Sequence, residues 1–486
     1  MVKQNVRKVI TMVLVVCLMV GYGYAGFSVP FAPAGHSAKE VSCGAVSAEG
    51  WSNSRLVRVE GAENVEPETK VYRKQLAVEA ERESEPSEMA VEDKTETQIL
   101  PEVKATDKTA SKNTKSGSSV RGNSKGFAKI YKSMTEYGKM AESEAAWLWK
   151  QQLSNGAFAF YNETNGSVYI NPYFAEIVAI ALINYDDSMD AKKKIEMYFD
   201  WHMSHINSAE SDYNGVAGTI YDYDVQVVNS QVVSEKSRGV YDSTDSYSAL
   251  FVKALADYVK VYKDAAYIEA HASQIKEIVN VMFATMSPNG YTYAKPDYHI
   301  IYLMDNAEVY AGLKAAQYIY ANVIADADMQ TKVNKAVVFY EENFNKHWWK
   351  GDHYATVLNP DYSEYTGYDF SWDMFYPCAT AQMFPLMYGI IDADSDYAKT
   401  MYKGLCSAWN WQDMDYVTKG VDTFYWGSFA YLGGIMGDDE RLASYMKKYN
   451  EVVDAGRPYP LYSAESAMVL MGCMTMLDVL ENRVTK

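Results

Sequence analysis

The sequence predicts an all-α domain of about six helical hairpins, an inner ring of helices enclosed by an outer one. Three observations carry that prediction. Helical periodicity recurs from residue 127 to residue 486, while strand-like alternation is scarce. Two kinds of helix alternate: "FAEIVAIALI", "SYSALFVKAL", "AEVYAGLKAAQYI" and "ESAMVLMGCMTML" are apolar on nearly every face, and those between them carry one apolar stripe and a charged back. The first kind belongs inside protein and the second against water. The links, finally, are lopsided. Those leaving the apolar helices are tight ("NYDDSMD", "YKDA", "ADAD", "DADSD", "GDDE"). Those entering them run over 154–171, 208–243, 287–302, 348–374 and 410–422, with a shorter one at 454–461. In a closed ring every long link falls at one end, beside the N-termini of the inner helices.

In chain order, residues 1–34 read as an export signal. A basic start, "MVKQNVRK", precedes an apolar stretch and the small residues Ala32-Pro33-Ala34. The apolar run is shorter than the roughly 20 residues of a membrane span, which makes an uncleaved anchor the weaker alternative. Val16 before Cys17 argues against a lipid-anchored cysteine. Residues 35–125 are almost free of aromatics and rich in Glu, Lys, Ser and Thr. Such a segment buries too little apolar surface to offset its ordering entropy, and it reads as a disordered charged linker. The expected location is secreted or associated with the cell envelope through this N-terminal segment.

Residues 126–486 form the predicted domain, expected to be a monomer. Outer helices are read near 136–153, 190–207, 265–286, 327–347, 395–409 and 438–453. Inner ones fall near 172–183, 244–262, 303–322, 375–390, 423–436 and 462–481. Cys378, Cys406 and Cys473 sit on apolar faces without CxxC spacing and read as buried thiols. The net charge of −18 argues against nucleic acid and anionic membrane as partners, and mildly against an acidic polymer. No cofactor or metal is expected: His202 and His205 lack a third ligand and read as surface histidines. "DADSD" reads as a turn and helix cap, and no phosphate loop or nucleophile elbow occurs.

The long links are filled with aromatics and acids, as in "NGAFAFYNETNGSVYINPY", "HWWKGDHYATVLNPDYSEYTGYDFSWD" and "WNWQDMDYVTKGVDTFYW". Tyr and Trp offer flat faces to sugar rings and polar atoms to hydroxyls. An (α/α)6 toroid with an aromatic, acidic funnel resembles the six-hairpin glycosidase superfamily. "AWLWKQQLSNGAFAFY" with "INPYFAEIVAIAL", then "GTIYDY" and "YDSTDSYSALF", is similar to secreted bacterial members without an assigned activity. The resemblance covers about 127–486. It implies the fold and a chemistry on polysaccharide or oligosaccharide, but no catalytic residue.

Glycoside hydrolysis needs a protonated carboxyl for the leaving oxygen and an ionised one for water or the anomeric carbon. The resemblance favours the inverting arrangement. The funnel-side acids are Asp222, Asp242, Asp245, Asp305, Glu308, Asp369, Asp373, Asp422 and Glu465, with Glu176 near the start of the first inner helix. Asp242 and Asp245 stand at the start of the second inner helix, where the dipole favours the ionised form, although either could simply cap the helix. Asp222 between Tyr221 and Tyr223, and Asp373 after Trp372, suit the acid. Asp222 with Asp245 is the preferred pair, followed by Asp373; Asp305 and Glu308 repeat the spacing of Asp242 and Asp245. Stacking candidates are Tyr173, Tyr221, Tyr223, Tyr247, Trp372, Tyr425 and Trp426. Two other readings stay open. One is a polysaccharide lyase using Tyr298, His299, His353 or Asn171, with Arg238, Lys236 and Arg457 as scarce cations. The other is a catalytically inactive glycan-binding or assembly protein.

Overall fold

The computed structural model describes residues 124–161 and 165–485. The export signal over 1–34 and the linker over 35–125 lie outside the described residues, apart from Ser124 and Lys125 at the start of the first helix. The elements in order are α1 (Ser124–Trp149), β1 (Gly166–Ile170), α2 (Pro172–Tyr185), α3 (Met189–Ser204), β2 (Tyr223–Val228), β3 (Gln231–Ser237), α4 (Thr244–Tyr262), α5 (Ala265–Ala270) and α6 (Ala272–Ala284). There follow β4 (Ile301–Tyr302), α7 (Leu303–Asn322), α8 (Ala327–Trp348), β5 (Val357–Leu358), α9 (Phe384–Met387), α10 (Asp396–Ala408), α11 (Asp415–Thr418), α12 (Ser428–Ile435), α13 (Asp439–Asp454) and α14 (Ser463–Thr485).

Helices α2, α4, α7, α9, α12 and α14 pack side by side in that order, and α14 returns against α2. The ring closes. Around it, α1 lies on α14, α3 on α2, α5 and α6 on α4, α8 on α7, and α13 on α12. Helix α10 completes the outer layer, with the Trp372 ring wedged where a Cβ on Gly404 would meet it at 2.3 Å. This is an (α/α)6 toroid.

Local chemistry explains why one end is tight. Each short link supplies the N-cap of the following outer helix, so the turn and the helix start are one device. Ser188 accepts from Ala191, Asp264 from Tyr267, Asp326 from Met329, Ser395 from Ala398 and Asp438 from Arg441. The inner helices start differently: α4, α7 and α12 have no side-chain bond from their own N-cap residue. Their polar side chains are left for other work.

Inner helices approach closely where a side chain is missing. A Cβ on Gly312 of α7 would lie 2.5 Å from the Ala249 backbone of α4, and one on Gly472 of α14 would lie 2.4 Å from Ala430 of α12. The seam between first and last hairpins is polar. Buried Glu144 on α1 accepts two bonds from Arg457, at 2.6 and 2.7 Å, and one from Tyr449 on α13 at 2.9 Å; Ser466 on α14 donates a further one. Phe160 stacks on Tyr462 at 5.0 Å, and its carbonyl accepts from the Ser463 amide at 2.9 Å.

The structure departs from the sequence expectations in four places. The links 154–171 and 208–243 contain an antiparallel sheet, ordered β1-β2-β3, in which Ile170 pairs with Tyr223 and Tyr223 with Ser237. Its β2–β3 turn is Asn229-Ser230, both at positive φ, as a two-residue hairpin requires. The inner helix expected over 375–390 is a π-turn at Phe375–Ala379 followed by the short α9, because Pro377 and Pro385 lack the amide a regular helix would use. The one expected from 423 begins only at Ser428. Carboxylates of Asp422 and Glu465 take the amides of Thr423, Phe424, Trp426 and Gly427 instead. His202 is not a surface residue: it is buried, stacked on Phe251 at 3.6 Å, with Nδ1 3.6 Å from Glu176. Burial holds His202 neutral and pushes the Glu176 carboxyl well up, so this is a contact of two uncharged groups. The three cysteines of the domain are free, with Cys378 and Cys473 buried and Cys406 partly so.

The seam can be tested by cutting it. R457A leaves Glu144 buried without its cation, which should cost about 3–5 kcal/mol in a denaturant titration. A loss under about 1 kcal/mol would mean that the clasp does not hold the ring shut.

Candidate active site

Asp222 stands just before β2. Its amide donates to the Val240 carbonyl at 2.9 Å and its carbonyl accepts from the Arg238 amide at 2.8 Å, which fixes its backbone against the stretch that follows β3. Its carboxylate accepts from Tyr169 at 2.5 Å, and from Asn171 and Tyr247 at 3.2 Å each. Asn171 also caps α2 through its Oδ1, so the helix start and the acid share one side chain. Only 8% of Asp222 is exposed. Burial pushes its carboxyl up to about 6, against Tyr169, Tyr247 and Arg238, with a further push from Asp242. Arg238 stands 3.9 Å over the Tyr169 ring and is tied by two bonds to Asp224, at 2.6 and 3.0 Å.

Asp242 is exposed to solvent, and yet burial raises its carboxyl, with Lys295 pulling the other way. Both conditions hold together on a concave surface, where a side chain meets water above and protein on the remaining sides. It does not cap α4, whose N-cap position is Ser243. Asp245 is sealed. It has no exposed surface, and its two oxygens accept from the Ser246 amide at 2.9 Å and from Thr292 at 2.6 Å. Its carboxyl is raised by burial, the reverse of the ionised state expected at a helix start, with Glu308 adding to the rise. The reason is one of magnitude: a helix dipole is worth about 0.3–1 kcal/mol, and burial of an unpaired carboxylate costs several.

Below these lie Asp305 and Glu308 on α7. Asp305 is buried, with Oδ2 lacking a partner among the described residues, and burial with Asp245, Glu308 and Asp242 nearby raises its carboxyl strongly. Glu308 accepts from Tyr173 at 2.6 Å and is pushed up to about 7 by burial. Tyr173 in turn stacks on Tyr247 at 5.8 Å. Tyr376, whose hydroxyl is raised by burial and by Asp242, Asp305 and Asp422, places the 374–379 turn against the same group of acids. Trp426 packs on Tyr376 at 5.7 Å and donates to Asp422 at 3.1 Å.

The other sequence candidates are placed elsewhere or serve the frame. Asp373 and Asp369 are exposed, and Trp372 packs outward onto α10 with its carbonyl accepting from Trp409 at 2.7 Å. Glu465, pushed up to about 7 by burial, accepts the amides before α12. The Tyr425 carbonyl accepts from Tyr416 and Tyr445. Tyr223 faces away from Asp222 onto Trp201 and His205, at 5.7 and 4.9 Å. Tyr221 is buried against Tyr213 and Tyr241, with ring centroids 6.0 and 5.5 Å away. Sequence reasoning missed Tyr169, which strand parity could have found: Val168 and Ile170 are buried on one face of β1, so Tyr169 takes the other. It also missed Tyr376, hidden inside a segment read as regular helix.

Two hollows open among residues nearer the tight-link end. One of about 740 Å³ is bordered by Lys260, Lys314 and Tyr318, and one of about 270 Å³ by Met387, Met468 and Met471. Neither is lined by any of the acids above, so the site is assigned from its carboxyl groups and not from volume.

The acids make stability depend on pH in a stated direction. Glu308 has a folded value of about 7 against an ordinary 4.5, so its contribution is fully present below about 4.5 and is lost as pH rises through 7. Above that the penalty is on the order of 3 kcal/mol. E308Q should therefore melt higher relative to the native protein at pH 8 than at pH 5. An equal difference at both pH values would contradict the assignment.

No protein-family model matches the chain, and no curated protein sequence matches it. Solved structures do. A wild-type glycosidase aligns at 11% identity over 71% of this chain and 97% of its own, with a TM-score of 0.46. A cold-adapted family 8 xylanase aligns at 10% identity over 70% and 91%, TM-score 0.45. The cellobiose 2-epimerase of Spirochaeta thermophila aligns at 12% identity over 73% and 98%, TM-score 0.46. The chain is similar to these in the winding of its helices alone.

Proposed function

We propose that this chain is an exported glycoside hydrolase that cleaves a polysaccharide by inversion, with Asp222 as general acid and Asp242 as general base. One observation carries the reading. A carboxyl group pushed up to about 6 stands near a solvent-exposed carboxylate that is still surrounded by protein, at the end of the toroid where the inner helices begin. Asp245, the partner favoured from sequence, has no exposed surface at all, which moves the base role to Asp242.

Asp222 holds a proton that it gives to the glycosidic oxygen as the bond to the anomeric carbon breaks. Asp242 takes a proton from the water that attacks that carbon from the opposite side. Tyr169, Asn171 and Tyr247, which already donate to the Asp222 oxygens, hold the carboxylate left behind. Tyr173, partly exposed, is the ring beside the acids that a sugar could meet, whereas Tyr247, expected from sequence to stack on substrate, is buried against it and serves to hold Asp222. The lyase alternative loses its arginines: Arg238 is committed to Asp224 and Arg457 to Glu144, which leaves Lys295 as the cation beside Asp242.

A screen of neutral and amino-sugar glycans should give new reducing ends without unsaturated uronate. D222N and D242N should each lower kcat by about 10²–10⁴ while the protein still binds glycan. Turnover should fall as pH rises above about 6, because the acid must be protonated. Unsaturated ends would establish a lyase. Binding without turnover by the native protein would establish a silent receptor.

A further inference from the structure

Tyr213 is a conspicuous residue outside the acid group. It is 47% exposed, and yet its surroundings are built as tightly as a core. Its ring stacks on Tyr241 at 4.8 Å and lies parallel to Tyr221, 6.0 Å away with only 7° between the planes. Tyr221 accepts the Tyr213 amide at 2.8 Å and donates to the Ser211 carbonyl at 3.1 Å. The turn that carries it is folded around buried Asp212, which accepts from the amides of Asn214 and Val216 and from the Thr219 hydroxyl at 2.8–3.0 Å. Gly218, at φ +90, lets this turn sit on α6, since a Cβ there would meet the Glu277 backbone at 2.5 Å.

The same turn is tied to the next long link. Asn214 donates to Tyr241 at 3.1 Å and to Asp297 at 3.0 Å. Asp297 precedes Tyr298, itself 44% exposed, whose hydroxyl meets that of Tyr302 at 3.1 Å. Tyr241 directly precedes Asp242. A single bonded frame therefore fixes two solvent-facing tyrosine rings with respect to each other and to the exposed acid. Packing alone does not account for this. A ring that served only to cover Tyr241 would not need a face in water, and an ordinary surface tyrosine would not need its turn bonded so fully.

We propose that Tyr213 and Tyr298 form an outlying sugar-binding subsite, which stacks pyranose units of a glycan chain that continues out of the acid group. Resting on the hydrolase reading above, it narrows the substrate to a polymer reaching beyond the cleaved linkage. Rigid rings are suited to this task because they lose little freedom when a sugar covers them. The two acids beside them, Asp297 and Asp242, outweigh the one lysine, Lys295, which stands 5.6 Å over one face of the Tyr298 ring, and so favour neutral or amino-bearing units over uronates.

The test compares long and short substrates with Y213A and Y213F. On a polymer, Y213A should raise KM by about tenfold, with kcat within about twofold. The rise should be several times smaller on a disaccharide aryl glycoside, and Y213F should restore polymer KM. Equal losses on both substrates, or no loss on either, would overturn the subsite. Retardation of the chain by soluble glycans in native gels gives a readout that needs no turnover. If the native protein is retarded by a polymer but cleaves nothing, the hydrolase reading fails. If Y213A is then retarded as strongly as the native protein, the subsite fails separately. Matching melting temperatures of Y213A and the native protein confirm that folding is not the cause.

Discussion

The molecule depends on closing a ring of six short-range hairpins, and the closing step joins residues more than 300 positions apart. Glu144 and Arg457 make that junction as a bidentate pair with two hydroxyl donors, all of it buried. Burying two charges is favourable only when geometry and further bonds are nearly complete. Here the remaining lone pairs of Glu144 are taken by Tyr449 and Ser466. The junction is therefore specific: it fits one register of first hairpin against last, where an apolar seam would tolerate slippage. Close helix approach at Gly312 and Gly472 makes the rest of the inner ring equally intolerant of a shift.

Closure has an electrostatic consequence. It turns six helix starts toward one end, and several bring acids with them. Asp222, Asp242, Asp245, Asp305 and Glu308 lie near one another while the arginines of the long links are bonded elsewhere. Burial first, and the neighbouring acids second, raise these carboxyls, so the folded state gives up stability as pH rises through their values. The same place holds one acid, Asp222, that burial pushes up to about 6, near another, Asp242, that meets water. A cost to folding and a capacity for acid–base chemistry come from one arrangement.

The architecture was legible because it is written in periodicities. Helices apolar all round, alternating with striped ones, can be satisfied only by two concentric layers, and the tight links each carry the Ser or Asp that caps the next outer helix. What escaped was irregular backbone. The sheet of β1, β2 and β3 rests on short alternating runs inside links rich in turn residues. The broken fourth inner helix keeps a helical composition while Pro377 and Pro385 forbid the bonds. Individual side chains were harder still. Asp242 and Asp245 have the same local signature, yet one faces water and the other is sealed by Thr292 from a link 47 residues away.

The sequence by itself determined the alternation of two kinds of helix, the end at which the long links gather and the residue types found there, because these follow from spacing along a single chain. Tertiary structure alone decided which carboxyl keeps its proton, which meets solvent and which aromatic ring is left with a free face. Those properties depend on burial and on partners from other hairpins, and a charge or a ring has no fixed environment until the ring of helices has closed around it.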